Sequence, residues 1–475
     1  MTVPSGALHA TLDELVGSPF ARRIEAAAAA VRASPGPIRV IVDSDADGLS
    51  AGGILVRALS RAGKRFHLTA VRGLDQDLAD VLAAERSALL ITSDLGSGQA
   101  DLLAPIADAG TTVVILDHHV PISNRDDPRF LQINGHLHGV DGTLELCGAS
   151  TSFLFALALD LRNFDLVPLA ISGAIGDRQH VGGFRGAAAR IVDAAARGGF
   201  VTVRTALNLD GENMLDALVR SNDPFLPGIT GDEAAARLLL REVGVRPEAK
   251  VGGIDEPHER ALASRLVALL LEAGIEPAYA EEVTTQRVEL TGSAMTAKEL
   301  QALINSAGRS GEPSTAIAVA LGDATAAERA RKIADEYRMQ VRAGLLKLAA
   351  NPPKKLRAVQ FFDTENALIA AALAGLGAIY LFDPKFPVVS FTPTPEGGWK
   401  VSTRATRAQA ARGVNFAIAA RRAADAVGGR GGGHPVASGA TIPHDGRERF
   451  LEVLDLIVVE QFARGTPSVA SGGYP

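Results

Sequence analysis

An α/β fold with an N-terminal parallel sheet is predicted by three apolar runs that each lead into an aspartate, with helix-like stretches between them. Ile38–Val42 reads as the first strand, followed by a helix over Ala51–Ala62. Ala88–Thr92 and Thr112–Leu116 read as the next two strands. The aspartates are Asp43, Asp94 and Asp117. Ligands of open α/β sheets bind beyond the carboxyl ends of the strands, so three acids arriving there predict a site. Residues 1–200 are expected to form this domain, and 201–345 a mainly helical connector with loops at Asp223-Pro224 and Pro227-Gly228. A second α/β domain is expected over 346–465, with strands at Leu356–Phe362, Ala378–Phe382 and Pro387–Phe391 and a glycine-dense loop at Gly428–His434. The small, polar segment 466–475 is expected to be a disordered tail. No internal repeat is visible.

The bulk composition excludes several classes. Of 475 residues, 47% are hydrophobic and 21% charged, a globular balance with room for more than one core. A net charge of −6 argues against a uniformly basic nucleic-acid binder but leaves room for a local basic groove. Cys147 is the single cysteine, so neither an internal disulfide nor a cysteine zinc site is possible, and a cytoplasmic location is expected. The first residues lack the charged-then-apolar pattern of a signal peptide. The Ala26–Ala30 run is too short to cross a bilayer, so no membrane association is expected.

Two segments carry the strongest chemical signal. In Val42-Asp43-Ser44-Asp45-Ala46-Asp47-Gly48, three aspartates alternate directly after a strand. An extended segment would turn all three to one face, a concentration of like charge that cations relieve. Carboxylate oxygens suit Mg²⁺ or Mn²⁺. A calcium-binding EF-hand loop counted from Asp43 would need glutamate where Ile54 stands, and a plain Asp-Gly turn is the bland alternative. The second segment, Leu116-Asp117-His118-His119, brings oxygen and imidazole ligands to a strand end. Ser93-Asp94-Leu95-Gly96 and Gly176-Asp177 each close an apolar run with one aspartate, which in isolation reads as a cap or turn.

Taken in order, these four motifs resemble those of the DHH phosphoesterase superfamily. GGRGGGHPVASG at 428–439 resembles the GGGH signature of the associated DHHA1 domain, and Ser402-Thr403-Arg404 its Ser-x-Arg element. Asn305-Ser306-Ala307-Gly308-Arg309 resembles a phosphate-binding segment of RecJ-type nucleases. SDLGSGQ, ELCGAST, GAIGDRQ and DPFLPGITG are similar to segments of archaeal RecJ homologues, a group that includes the GINS-associated nuclease. Two positions depart from the pattern: Asp43 stands where many archaeal members have histidine, and Ala437-Ser438-Gly439 replaces Ala-Ala-Gly. The chain ends soon after the DHHA1-like segment, so the OB-fold of bacterial RecJ is not expected.

The resemblance implies an N-terminal DHH domain and a C-terminal DHHA1 domain with the active site in the cleft between them. It implies two divalent ions, Mn²⁺ or Mg²⁺, one held by Asp43, Asp45 and Asp94 and the other by Asp47, Asp94, His118 and Asp177, with Asp94 bridging. Asp117 and His119 complete the catalytic set, with His119 facing substrate phosphate. Asn305, Arg309, Ser402, Arg404, Gly431, Gly432, Gly433 and His434 are the implied phosphate contacts. The implied activity is exonucleolytic release of mononucleotides from single-stranded DNA or RNA in replication or repair. The alternatives are a phosphodiesterase acting on short oligonucleotides and a replisome scaffold that binds GINS. GINS and the replicative helicase enter as partners through this likeness alone, and the intact acidic motifs disfavour a pure scaffold.

Overall fold

The computed structural model describes residues 7–125, 127–293 and 295–464. The expected tail, 466–475, lies outside the described residues. The chain divides into two compact units, 1–206 with 285–335 and 207–284 with 336–475.

The first unit is built on five strands: β1 (Ile38–Asp43), β2 (Phe66–Val71), β3 (Leu89–Ser93), β4 (Thr112–Asp117) and β5 (Phe130–Asn134). All neighbours are parallel, in the order β2-β1-β3-β4-β5. The chain therefore reverses its winding between β1 and β3, where a crevice opens at the strand ends. Both faces of the sheet are covered, which explains why the central strands are continuous apolar runs. On one face Val40, Val42, Ile91, Val114 and Leu116 pack with Leu49, Phe153, Phe155 and Ile171 from helices Ala46–Arg61, Gly148–Leu159 and Val167–Gly176. On the other, Ile41, Leu90, Val113 and Ile115 meet Leu82, Leu103 and Ile106 from helices Gln76–Glu85 and Ala100–Asp108. The edge strand β2, with its alternating FHLTAV, carries a weaker apolar signal and was not foreseen.

The connector does not form one body. Its Ala297–Arg309 helix inserts Leu300, Leu303, Ile304 and Ala307 into the core of the first unit, so that stretch belongs with the strand-end aspartates. The connector also contains strands β6 (Val201–Leu207) and β7 (Thr284–Leu290), which pair with each other.

In the second unit β8 (Lys354–Lys355), β9 (Gln360–Asp363), β10 (Val388–Pro393), β11 (Trp399–Arg404), β12 (Arg430–Gly433) and β13 (Ala437–Ile442) form a mixed sheet in the order β12-β13-β11-β10-β9-β8. Three expectations are corrected. Ala378–Phe382 is not a strand: through Tyr380 it ends the helix Ala370–Tyr380, whose AAALAGLGAIY is apolar all round, and a short apolar run does not distinguish buried helix from strand. The Leu356–Phe362 strand begins only at Gln360. The glycine-dense segment is not a free loop, since Arg430–Gly433 pairs with β13. Among the described residues no helix is long and apolar enough to cross a membrane.

Candidate metal centre

The acids gather at the carboxyl ends of β1, β3 and β4, beside the winding reversal. The Asp43–Asp47 segment is not extended as expected, because a helix starts at Ala46. Asp45 caps it, its Oδ1 accepting from the amides of Asp47 and Gly48 at 3.0 and 3.2 Å. Asp43 therefore points from a strand end, Asp45 from a cap and Asp47 from a first helical turn. A Cβ on Gly48 would strike the Asp43 carbonyl, so this tight return requires glycine.

Asp47 is 1% exposed, and it lies at the N-terminus of the Gly148–Leu159 helix. Its Oδ2 accepts from Gly148 N at 2.6 Å and its Oδ1 from Ala149 N at 2.9 Å, a placement that suits an anion at the positive end of a helix. Gly148 admits this approach, since a Cβ there would lie 2.6 Å from Asp94 Cβ and 2.9 Å from Asp47 Oδ2.

Asp94 follows β3 with φ 61°, in the left-handed region that costs a non-glycine residue strain and that clusters at functional sites. It is 4% exposed, and its Oδ1 has no hydrogen-bond partner among the described residues. Burial first, then Asp47, Asp45, Asp177 and Asp43 in turn, push its carboxyl well above the usual range. Burial and Asp47 do the same for Asp177. Asp43 is pushed up to about 7 by burial and by Asp45.

The two histidines of the β4 end have different surroundings. Nδ1 of His118 donates to the Gly142 carbonyl at 2.7 Å, which leaves the Nε2 lone pair directed inward. Nε2 stands 3.2 Å from Asp94 Oδ1, 3.2 Å from Asp177 Oδ2 and 3.8 Å from Asp47 Oδ2. Burial, and then His119, lower its pKa and favour the neutral ring. A lone pair among carboxylates is repulsive unless a cation sits between them. His119 instead meets Asp117, Nδ1 to Oδ1 at 2.7 Å. Burial opposes its charge, but Asp117 outweighs that and holds His119 at about 9. Asp117 is fully buried; burial works against its ionisation, yet His119 and the Ser97 amide keep it well below the ordinary carboxylate range. Asp117 thus orients His119 and the loop rather than facing the acids.

Three overlapping groups have ligand atoms mutually within 4.8 Å: Asp43, Asp45 and Asp94; Asp47, His118 and Asp177; and Asp94, Asp117, His118 and His119. The first two, with Asp94 reaching both His118 and the Asp43 pair, offer two adjacent oxygen-rich donor sets. Hard carboxylate donors, one imidazole and a buried carboxylate oxygen lacking a partner fit divalent cations such as Mn²⁺ or Mg²⁺.

Among the phosphate candidates of the first unit, the Ala297–Arg309 helix carries Asn305 and ends at exposed Arg309, and Arg309 lowers the pKa of Asp43. Gly308 lets that helix meet the motif, since a Cβ at 308 would contact the Ser44 carbonyl at 2.5 Å. In the second unit Ser402 and Arg404 alternate along β11, with Gly439 opposite Ser402 and Gly432 opposite Gly439. Gly431 is required by packing, because a Cβ would lie 2.7 Å from the Ala420 carbonyl, and Gly433 has φ 138°. His434 closes the β12–β13 turn, its amide donating to the Ala437 carbonyl.

Several supporting residues escaped the sequence reading. Gln179 donates from Nε2 to the same Gly142 carbonyl that holds His118, at 3.1 Å. A Cβ on Gly142 would collide with the His118 carbonyl. Asn134 donates to Ser97 Oγ and to the His119 carbonyl, both at 2.8 Å. The available signals were the segments ELCGAST and GAIGDRQ, which contain Gly148 and Gln179 without assigning either a role.

Residues 37–162 match the DHH family N-terminal domain, and 358–460 match the DHHA1 domain. An uncharacterized protein of Methanocaldococcus jannaschii is 30% identical over 436 residues, covering 90% of this chain and 95% of that protein. The chain belongs to the DHH family. Within reach of this DHH protein in sequence is the single-stranded-DNA-specific exonuclease RecJ of Thermus thermophilus, 27% identical over 238 residues, which are 47% of this chain and 35% of that one. A manganese-bound exonuclease RecJ shares the fold, with a TM-score of 0.57 at 19% identity over 94% of this chain and 97% of that one. CDC45 from Entamoeba histolytica shares it with a TM-score of 0.67 at 12% identity, over 92% of this chain and 99% of that one.

Proposed function

We propose that this DHH protein is a two-cation phosphodiesterase that removes mononucleotides from single-stranded nucleic acid. The observation that carries the reading is the convergence of Asp43, Asp45, Asp47, Asp94, His118 and Asp177 into two donor groups joined at Asp94. Asp43, Asp45 and Asp94 would hold one Mn²⁺ or Mg²⁺, and Asp47, Asp94, His118 and Asp177 the other. When bound, such a pair would lower the pKa of a water and would offset the charge on the attacking and leaving oxygens of a phosphodiester. The chain's own groups do the rest. Gly142 fixes the His118 tautomer that presents Nε2. His119, kept cationic by Asp117, offers a charged donor to a phosphoryl oxygen. Arg309 adds positive charge beside Asp43, and within the second unit Ser402, Arg404 and His434 would contact phosphate.

The test uses single strands labelled at either end, as DNA and as RNA, incubated with Mn²⁺ or Mg²⁺. The wild type should release labelled mononucleotide, and Asp94→Asn should lower the rate by at least about 10³-fold with an unchanged circular dichroism spectrum. Strand cleavage that survives in Asp94→Asn contradicts the site. The shared CDC45 fold favours one second reading, a replisome scaffold: no hydrolysis of strands or dinucleotides by a folded, metal-loaded wild type would favour it. Hydrolysis confined to dinucleotides would instead make the substrate a short oligonucleotide.

A further inference from the structure

The two faces of the second unit's sheet differ in chemistry. On one, Val389, Phe391, Val401, Ala440 and Ile442 join a core with helices Phe416–Asp425 and Arg447–Arg464. Directly opposed residues of neighbouring strands share a face. The register therefore sets Ser390, Ser402, Gly439 and Gly432 in one row on the opposite face, with Thr441 and Arg430 in the row beside it. β12 is the edge of this sheet, with one side of its backbone unpaired by any strand.

Arg421 starts from the Phe416–Asp425 helix, on the apolar side. Its Nη2 nevertheless lies 3.9 Å from where a Cβ of Gly432 would stand, so the side chain passes around the free edge and delivers its guanidinium to the polar row. Arg421 and Arg430 are both exposed, and among the described residues neither side chain is engaged in an ion pair or hydrogen bond. Two unneutralised guanidinium groups beside a glycine floor, at a strand edge with free amides, match the donor geometry of a phosphodiester backbone. The edge strand that carries Arg430 and Gly432 stands two strands from Ser402, about 9–10 Å across the sheet, which sets this edge apart from the Ser402 and Arg404 position.

We propose that Arg421 and Arg430 form a second phosphate-binding subsite that grips the backbone of single-stranded nucleic acid beyond the nucleotide being removed. This rests on the single-strand reading above, and it makes the substrate a polymer rather than a dinucleotide. Only the backbone is contacted, so the subsite adds affinity without sequence preference.

The experiment measures fluorescence anisotropy of a labelled single-stranded 12-mer across a salt series. It compares the full chain carrying Asp94→Asn with the same chain carrying Arg421→Gln and Arg430→Gln. Hydrolysis of the 12-mer and of a dinucleotide is followed in parallel, without the Asp94 change. The double variant should bind the 12-mer about ten-fold more weakly, and its salt slope should shrink by about 0.7 per lost phosphate contact. Dinucleotide hydrolysis should be unchanged, and Arg449→Gln, on the helix behind the sheet, should alter neither. An unchanged slope alongside active strand hydrolysis overturns the subsite and leaves the proposed function standing. An equal loss on the dinucleotide also overturns it, by assigning the arginines to the terminal phosphate. A chain that binds no strand with both arginines intact overturns the subsite and the single-strand reading together.

Discussion

Asp94 has left-handed backbone, near-complete burial and four neighbouring carboxylates, a combination that is costly without a counter-charge. That cost has a direct consequence for the metal-free protein. A group whose pKa is higher in the folded state binds its proton more tightly there. The stability it contributes is complete below the unfolded pKa and is lost as pH rises through the folded one. Asp43 at about 7, His119 at about 9, and the raised Asp94 and Asp177 all act in this direction. Asp117 and His118 have the opposite sign: the Asp117 contribution fails only in acid below the ordinary carboxylate range, and the lowered His118 pKa offsets part of the trend below about pH 6.5. In EDTA, Tm should therefore fall between about pH 5 and pH 9, and Mn²⁺ should raise Tm more at about pH 8 than at pH 5. Thermal melts across that range test this, and a flat metal-free profile would contradict it. At this scale the acids were legible because strand-end aspartates in such number have few structural uses. Gly142 and Gln179 were not, since their role is to hold the His118 ring through one carbonyl, a contact that no local pattern announces.

Elements place these side chains through their ends. β1, β3 and β4 stop where the acids begin, and the Gly148–Leu159 helix aims its first amides at Asp47. Gly148 is the point of closest approach between that helix and the two carboxylates. Gly148→Ala should therefore leave the helix formed while displacing Asp47 or Asp94. Mn²⁺ affinity should drop by about 10- to 100-fold, the range found when groups that orient metal ligands are disturbed. Isothermal titration of the variant measures this, and wild-type affinity would contradict the role given to the helix terminus. A continuous apolar run closed by an acid made β1, β3 and β4 readable, because each is buried on both sides. It failed for Ala378–Phe382, where an all-apolar helix end has no period to detect, and for β12, where glycines suggested a loop although their small size serves close packing against the Phe416–Asp425 helix.

Across the whole molecule, two α/β domains were visible in the sequence, and the alternation of apolar runs with helix-like stretches was sufficient for the first. The division of the connector was not visible. Ala297–Arg309 is an amphipathic helix like any other in sequence, and only its packing partners assign it to the first unit, where Gly308 rests on the Ser44 carbonyl and Arg309 acts on Asp43. The consequence is that the first unit holds the clustered acids, His118, His119 and Arg309 in a single compact body. The central claim is a paired cation centre with Asp94 shared between its halves. Mn²⁺ titration of the full chain, followed by electron paramagnetic resonance, tests it most directly. Two ions per chain with a spin-coupled spectrum are expected, and the coupling should be lost in Asp94→Asn. A single uncoupled ion in the wild type, or a coupled pair that persists in Asp94→Asn, would contradict it.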